Sequence, residues 1–281
     1  MIGTPIEQLT TAQIKDELRK LYNFRDFSDC LDQKDLQAKL TTTRNTQLIT
    51  HGLRYGPLLQ IGNRQNPSGV VTLSHGLGDS AHGWEGVAAE LARGLPHLLF
   101  LLPTAPIRPV TINGGMSMNA WYDIKDLLGE SSKARQEGEE VMASADYIKS
   151  LAYTATQRYR IPSNRVVYGG ISQGAAVSLA TGLTALIAPA GVVVLSGYLA
   201  GSSEVLPRLR NKSTPILMCH SSQDPIVSFE MAQKAKEALE SAGVSSITFK
   251  SYPIKHSSYP EELKEFAKFL RTVLPPQQSK A

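Results

Sequence analysis

Gly170-Ile171-Ser172-Gln173-Gly174 has the form G-x-S-x-G. It follows an apolar run, Arg165–Tyr168, and opens a helical pattern that begins near Gln173. A serine on a sharp strand-to-helix turn is lifted clear of the sheet, and the flanking glycines let backbone pack where a Cβ would clash. Free N–H groups at the helix start face any negative charge that develops beside the serine. Serine is a weak nucleophile at neutral pH and needs a base. On strand–turn–helix sites of this kind the partners follow in the order Ser, acid, His. Two histidines follow Ser172. His220 ends an apolar run and reads as a structural strand-end residue. His256 lies between the last strand pattern and the last helix, where a loop carries a base to the sheet edge. Asp224, in Ser221-Ser222-Gln223-Asp224-Pro225, stands between them and is the expected acid. Its plain reading is a turn aspartate before proline.

Acyl transfer also needs two donors for an oxyanion. The N–H of Gln173 is one. The second is expected at Leu77, in His75-Gly76-Leu77-Gly78-Asp79, directly after the apolar run Val70–Ser74. His75 and Asp79 are expected to shape that loop rather than to react. Met116, Met118, Trp121 and Tyr122 follow Ile112-Asn113-Gly114-Gly115. They read equally as an adaptable apolar channel for substrate or, for Trp121 and Tyr122, as core anchors below the site. Leu127-Leu128-Gly129 is a further wall or lid. Nothing in this constellation requires a metal or cofactor.

These residues need a scaffold. Strand patterns are expected at Leu58–Ile61, Val70–Ser74, Leu98–Leu102, Arg165–Tyr168, Gly191–Leu195, Pro215–Cys219 and Ser246–Ser251. Several are unbroken Val, Leu and Ile runs, as strands buried on both faces are. Helical patterns fall at Trp84–Arg93, about 132–158, Gln173–Ile187, Ser228–Ala242 and Pro260–Leu274. The alternation predicts an α/β fold, with a mostly parallel sheet and helices on both faces. Residues 1–45 differ. Ile14, Leu18 and Leu21 form one short helical stripe, and Leu31, Leu36 and Leu40 another. A helix–loop–helix extension over 1–45, a linker at Thr41–Asn45 and a catalytic domain over 46–281 are expected.

From Val70 onward the chain resembles the acyl-protein thioesterases of the phospholipase/carboxylesterase family. The likeness is carried by His75–Asp79 with His82-Gly83-Trp84, Pro103-Thr104-Ala105-Pro106, Arg108-Pro109-Val110-Thr111 and Trp121-Tyr122-Asp123. It continues through Ile161-Pro162-Ser163-Asn164-Arg165, Gly169–Gly174, Cys219-His220, Asp224-Pro225 and His256-Ser257-Ser258. It implies an α/β-hydrolase fold and a Ser172–His256–Asp224 triad. It also implies hydrolysis of S-acyl, mainly palmitoyl, groups on protein cysteines, with side activity on esters and lysophospholipids. The alternative with the same triad is a carboxylesterase, lysophospholipase or deacetylase. A non-catalytic lipid- or partner-binding protein would not need the complete triad and oxyanion loop. The chain departs from the family pattern at Ser221, usually Gly, and at Ser228, usually Pro. Ile2 stands where some members carry a palmitoylated cysteine. Residues 1–45 loosely resemble SAP-like modules at Cys30-Leu31 and Lys34-Asp35-Leu36, which implies DNA or protein partners. A packing or docking appendage is the preferred reading.

Composition agrees with an ordinary globular enzyme. The chain has 281 residues, 42% hydrophobic and 19% charged, with a net charge of +4. This excludes disordered, collagenous and coiled-coil classes. Residues 1–45 hold seven basic and seven acidic side chains, so nucleic acid is a poor partner for that segment. The mildly basic remainder suits transient contact with a membrane surface. Cys30 and Cys219 fit neither a disulfide framework nor a metal site, which suggests a reducing, cytoplasmic location. The first thirteen residues contain Glu7 and no basic cap before an apolar run, so no secretory signal is expected. The uncharged stretch between Arg165 and Glu204 is broken by glycines and reads as a buried strand–helix–strand. A weak homodimer is left open.

Overall fold

The computed structural model describes residues 9–22, 27, 30, 32–49, 54–125, 134–253 and 260–277. The core is a seven-stranded sheet. Its strands are β1 (Leu59–Gly62), β2 (Gly69–Ser74), β3 (Leu98–Leu102), β6 (Val166–Ile171), β7 (Gly191–Leu195), β8 (Ile216–Ser221) and β9 (Ile247–Tyr252). They lie in the order β1-β3-β2-β6-β7-β8-β9. β1 runs antiparallel to β3 and every other pairing is parallel. The α/β expectation holds, and all seven expected strands are present within a few residues of their expected bounds.

The period-two geometry of strands divides each apolar run between two helical layers. Leu99 and Leu101 of β3 face α4 (Ala134–Tyr159) and α5 (Gln173–Thr184), beside Val141, Ile148, Val177 and Ala180. Leu98, Phe100 and Leu102 face the other way, onto α3 (Glu85–Gly94) and α8 (Pro260–Val273), beside Leu91, Phe266 and Leu270. α7 (Phe229–Ser241) joins the α4–α5 face, packing Ala235 and Leu239 with Val192, Val194, Ile216 and Met218. Every residue of α5 is buried, which explains the uncharged stretch: it is β6, α5 and β7 at the centre of the molecule. Among the described residues no helix is long and apolar enough to cross a membrane.

Three expectations need correction. α5 ends at Thr184 rather than Ile187, leaving Leu186 85% exposed. Its terminal carbonyls are satisfied from a distant segment: Asn211 Nδ2 donates to Gly182 O and Ala185 O at 3.0 and 2.8 Å, which ends the helix there. The Gly- and Met-containing loop is a hairpin off the main sheet, β4 (Ile107–Val110) with β5 (Met116–Asn119), joined through Gly114 and Gly115 at φ 66° and 80°. Thr41–Asn45 is not a linker, because α2 (Gln33–Ile49) runs through it.

The N-terminal helices are α1 (Thr11–Tyr22) and α2. Leu9, Ile14, Leu18, Leu36 and Leu40 form a small core of their own. Leu31 and the side chain of Leu21 lie outside the described residues. Asp32 and Asp35 cap α2 reciprocally: Asp35 N–H donates to Asp32 Oδ1 at 3.0 Å and Asp32 N–H to Asp35 Oδ2 at 3.2 Å. Asp35 also pairs with Arg158 near the end of α4, which ties the extension to the sheet's helical layer.

Leu99→Ala should lower stability by about 2–5 kcal/mol, since the cavity lies between β3 and fixed helices. Leu186→Ala should change it by less than about 0.5 kcal/mol. Urea denaturation of both variants measures the contrast.

Candidate active site

Ser172 follows β6 and precedes α5 with φ 51° and ψ −120°. A non-glycine residue with positive φ is held there by its surroundings. Its N–H donates to Leu195 O at 2.9 Å, and its own carbonyl accepts from Ala175 and Ala176, both at 3.1 Å. A Cβ on Gly174 would stand 2.3 Å from Ser74 O and 2.4 Å from His75 O. A Cβ on Gly170 would stand 2.5 Å from Gly174 O and 2.8 Å from Ser74 O. The two glycines of the motif are thus required by contact with the end of β2, as the sequence argument anticipates. That contact brings the following loop to the serine: the Cβ direction of Gly76 ends 3.6 Å from Ser172 Cβ.

The loop after β2 is held by a buried polar network. His75 is completely buried. Its Nδ1–H donates to Gly76 O at 2.7 Å, and its Nε2 accepts from Ala105 N–H at 2.9 Å. Burial pushes the His75 pKa below its ordinary value. The neutral ring is the one form that can donate at one nitrogen and accept at the other. Trp121 Nε1–H donates to His75 O at 2.8 Å. The Gln173 side chain then grips the next two residues: Oε1 accepts from Trp121 N–H at 2.9 Å and Nε2 donates to Tyr122 O at 2.8 Å. Ser144 Oγ donates to Trp121 O, and the Tyr122 and Tyr198 hydroxyls meet at 2.6 Å. Gly78 N–H donates to Asn119 O at 2.9 Å, and Asn119 Nδ2 to Asp79 O at 2.7 Å, which ties the hairpin to the same loop.

Asp224 follows β8 and is 8% exposed. Its Oδ1 accepts from Ile226 N–H and Val227 N–H, both at 2.9 Å. His220 Nε2 donates to Val227 O at 2.8 Å and lies 3.7 Å from Asp224 Oδ2. A buried histidine bonded to a nearby carbonyl suits the structural role expected of it. Ser221 and Ser228, the two departures from the family pattern, both support this region. Ser221 Oγ accepts from Gln223 N–H at 3.1 Å, and Ser228 caps α7 by accepting from Met231 N–H at 3.3 Å. His256 lies at 254–259, outside the described residues, as does the Leu127-Leu128-Gly129 wall. The flanking strand is described: Tyr252 ends β9 opposite Ser221, and its carbonyl accepts from Ser222 N–H at 2.8 Å. The ends of β8 and β9 therefore lie side by side at the same sheet edge that β6 reaches just before Ser172.

The substrate-lining expectation divides. Trp121 and Tyr122 are 0% exposed with their polar atoms engaged, so they are core anchors beneath the loop and not channel walls. Met116 is 65% exposed and Met118 half-buried, both on β5. Sequence reasoning missed the Gln173 side chain, Ser144 and Tyr198 as supports. Nothing in the motif marks the glutamine amide as a clamp, and Ser144 sits unremarked within a long helix. Among the described residues no group of three or more His, Cys, Asp or Glu could hold a metal.

The sequence profile of the phospholipase/carboxylesterase family matches residues 60–274. The chain belongs to that family. It is similar to acyl-protein thioesterase 1 of Mycosarcoma maydis, 37% identical over 226 residues, covering 75% of this chain and 93% of that one. It is equally similar to acyl-protein thioesterase 1 homolog 1 of Dictyostelium discoideum, 37% identical over 212 residues, covering 74% and 92%. Among solved structures, acyl-protein thioesterase 2 of Zea mays superposes with a TM-score of 0.68 at 29% identity, covering 78% of this chain and all of that one. The chain is a serine hydrolase with the α/β-hydrolase fold. The matched residues start at β1, so α1 and α2 stand outside them.

Gln173→Glu keeps an acceptor for Trp121 N–H but turns a second oxygen toward Tyr122 O. It should cost about 1–3 kcal/mol of stability by urea denaturation. It should also lower kcat on a short ester more than it changes KM, because the loop is displaced. The lowered His75 pKa gives a second expectation. As pH falls below about 6.5 the unfolded chain takes up this proton before the folded one does, so stability present above that pH is lost. Urea midpoints at pH 7.5 and 5.5 should fall further for wild type than for His75→Gln.

Proposed function

We propose that this hydrolase removes S-acyl groups, palmitoyl above all, from cysteines of proteins, through Ser172, His256 and Asp224. The observation that carries the reading is Ser172 held at φ 51° between β6 and α5, with the Cβ direction of Gly76, in the β2 loop, ending 3.6 Å from its Cβ. The Leu77 and Gln173 N–H groups are assigned as the oxyanion donors. Neither N–H has a hydrogen-bond partner among the described residues. Gln173 opens α5, so its N–H has no carbonyl to meet within the helix.

In the mechanism His256 takes the proton from Ser172 Oγ as that oxygen attacks the thioester carbonyl. Asp224 holds the His256 tautomer and stabilises the imidazolium. The oxyanion is received by the Leu77 and Gln173 N–H groups. The C–S bond breaks, the cysteine sulfur leaves with the proton from His256, and the acyl group stays on Ser172. His256 then deprotonates a water that attacks the acyl-enzyme, releasing fatty acid and restoring Ser172. All the chemistry is supplied by side chains and backbone.

The substrate class is supported by the similarity to proteins named acyl-protein thioesterase. Apolar surface beside the site supports an acyl chain. Met116 and Met118 lie on the hairpin bonded to the Leu77 loop, Met118 Sδ standing 3.8 Å from the Cβ direction of Gly78. Ile107 and Ile112 are exposed on the same hairpin. An exposed apolar tip also suits transient docking on a lipid surface, where acylated proteins reside. We assign the enzyme to the cytoplasm, consistent with neither Cys30 nor Cys219 being in a disulfide. The family's carboxylesterase and phospholipase description favours a second reading, in which the same machinery cleaves small or lipid esters.

Release of palmitate from an S-palmitoylated peptide, beside hydrolysis of a short acetyl ester, separates the two. The first reading expects kcat/KM to favour the palmitoyl thioester, and Ser172→Ala to lower both rates about 10⁴-fold or more. Cleavage of the acetyl ester alone would replace it with the second.

A further inference from the structure

A cleft of about 850 Å³ lies between the start of α2 and the hydrolase domain, with Asp32 and Arg158 among its lining residues. Its walls come from three places: α2 with Lys34, the β1–β2 turn with Arg64, and the end of α4 with Tyr153 and Arg160. Both the β1–β2 turn and the end of α4 border the edge where β2 and β6 begin. Ser172 follows the other end of β6, six residues and about 20 Å along the strand. The cleft is therefore separate from the active site. Its α2 wall lies outside the residues matched by the family.

The charges in it are unbalanced. Arg158 is paired with Asp35 and lies 3.8 Å from Asp32. Lys34, Arg64 and Arg160 are exposed, and among the described residues none has an acidic partner. Three unpaired cations around one concavity attract an anion. The volume falls within the range of small-molecule sites. Tyr153, 62% exposed, offers a ring face.

The backbone at the end of α4 fixes where Arg160 stands. α4 ends in a Schellman motif: Arg160 N–H donates to Gln157 O at 3.3 Å and Ile161 N–H to Thr156 O at 2.9 Å. Arg160 occupies its left-handed position at φ 54°, where glycine is favoured and a side chain is strained. A cation is favoured at a helix C-terminus by the helix dipole, and this one is exposed where the helix end lines the cleft.

We propose that this cleft binds an anionic small molecule of nucleotide size, with two phosphates against Lys34, Arg64 and Arg160 and a ring against Tyr153. The inference does not depend on the substrate reading given above. Isothermal titration calorimetry on the full chain tests it with ADP and pyrophosphate as probes. Saturable binding of ADP is expected, tighter than that of pyrophosphate. Arg160→Gly should weaken ADP at least tenfold while its Tm stays at or above that of wild type, so a folding defect cannot account for the loss. Arg64→Gln should weaken ADP similarly, and short-ester hydrolysis should be unchanged in both variants. No saturable binding of either probe, or equal ADP affinity in wild type and Arg160→Gly, would overturn the proposal. So would ADP binding no tighter than pyrophosphate, or binding of a short DNA duplex in place of ADP.

Discussion

The contact between the end of β2 and the turn after β6 is the constraint on which the site rests. The carbonyls of Ser74 and His75 lie so close to Gly170 and Gly174 that neither position has room for a Cβ. That approach does two things at once. It holds Ser172 at an unfavourable positive φ, and it sets the next loop, through Gly76, against the serine. β2 and β6 are paired in register up to Ser74 and Gly170, so the ladder itself delivers the two segments to the same height. Strain at Ser172 is thereby maintained by the middle of a buried parallel sheet.

A second layer keeps that geometry from drifting. His75, Trp121, Gln173 and Ser144 are buried polar groups, and burial without partners would be costly for each. All four are satisfied by one another or by adjacent backbone. The network joins four elements: the β2 loop, the segment after the hairpin, α4 and the start of α5. Gln173 has two functions in it. Its backbone opens α5 directly after Ser172, while its side chain fixes the segment that in turn holds His75. A movement of any one element would leave buried donors in the others unpaired, at a cost to each.

The appended helices show a different economy of contacts. α1 and α2 have a small apolar core of their own and join the hydrolase through the Arg158–Asp35 pair and the packing of α2 on α4. The capping reciprocity of Asp32 and Asp35 is used twice, to start α2 and to present a carboxylate to Arg158. Beside that neutralised pair the cleft retains its three unpaired cations, at the opposite sheet edge from Ser172.

The sheet, its parallel character and the serine turn were legible in the residue pattern alone. Unbroken runs such as Leu98–Leu102 and Gly191–Leu195 can be stable only with both faces covered, and G-x-S-x-G between strand and helix has few structural alternatives. Local patterning was silent where distant contacts decide. α5 stops at Thr184 because Asn211 reaches its carbonyls, and no signal near residue 184 encodes that. The hairpin at Ile107–Asn119 has strands of four residues with little β-branched character, so it reads as a loop. Trp121 and Tyr122 suited either a channel or a core, and the tertiary structure chose the core because Gln173, 51 residues later, holds their backbone. Periodicity reports which face of an element is buried. Which element buries it, and which buried donor meets which acceptor, depends on chain segments that meet only after folding.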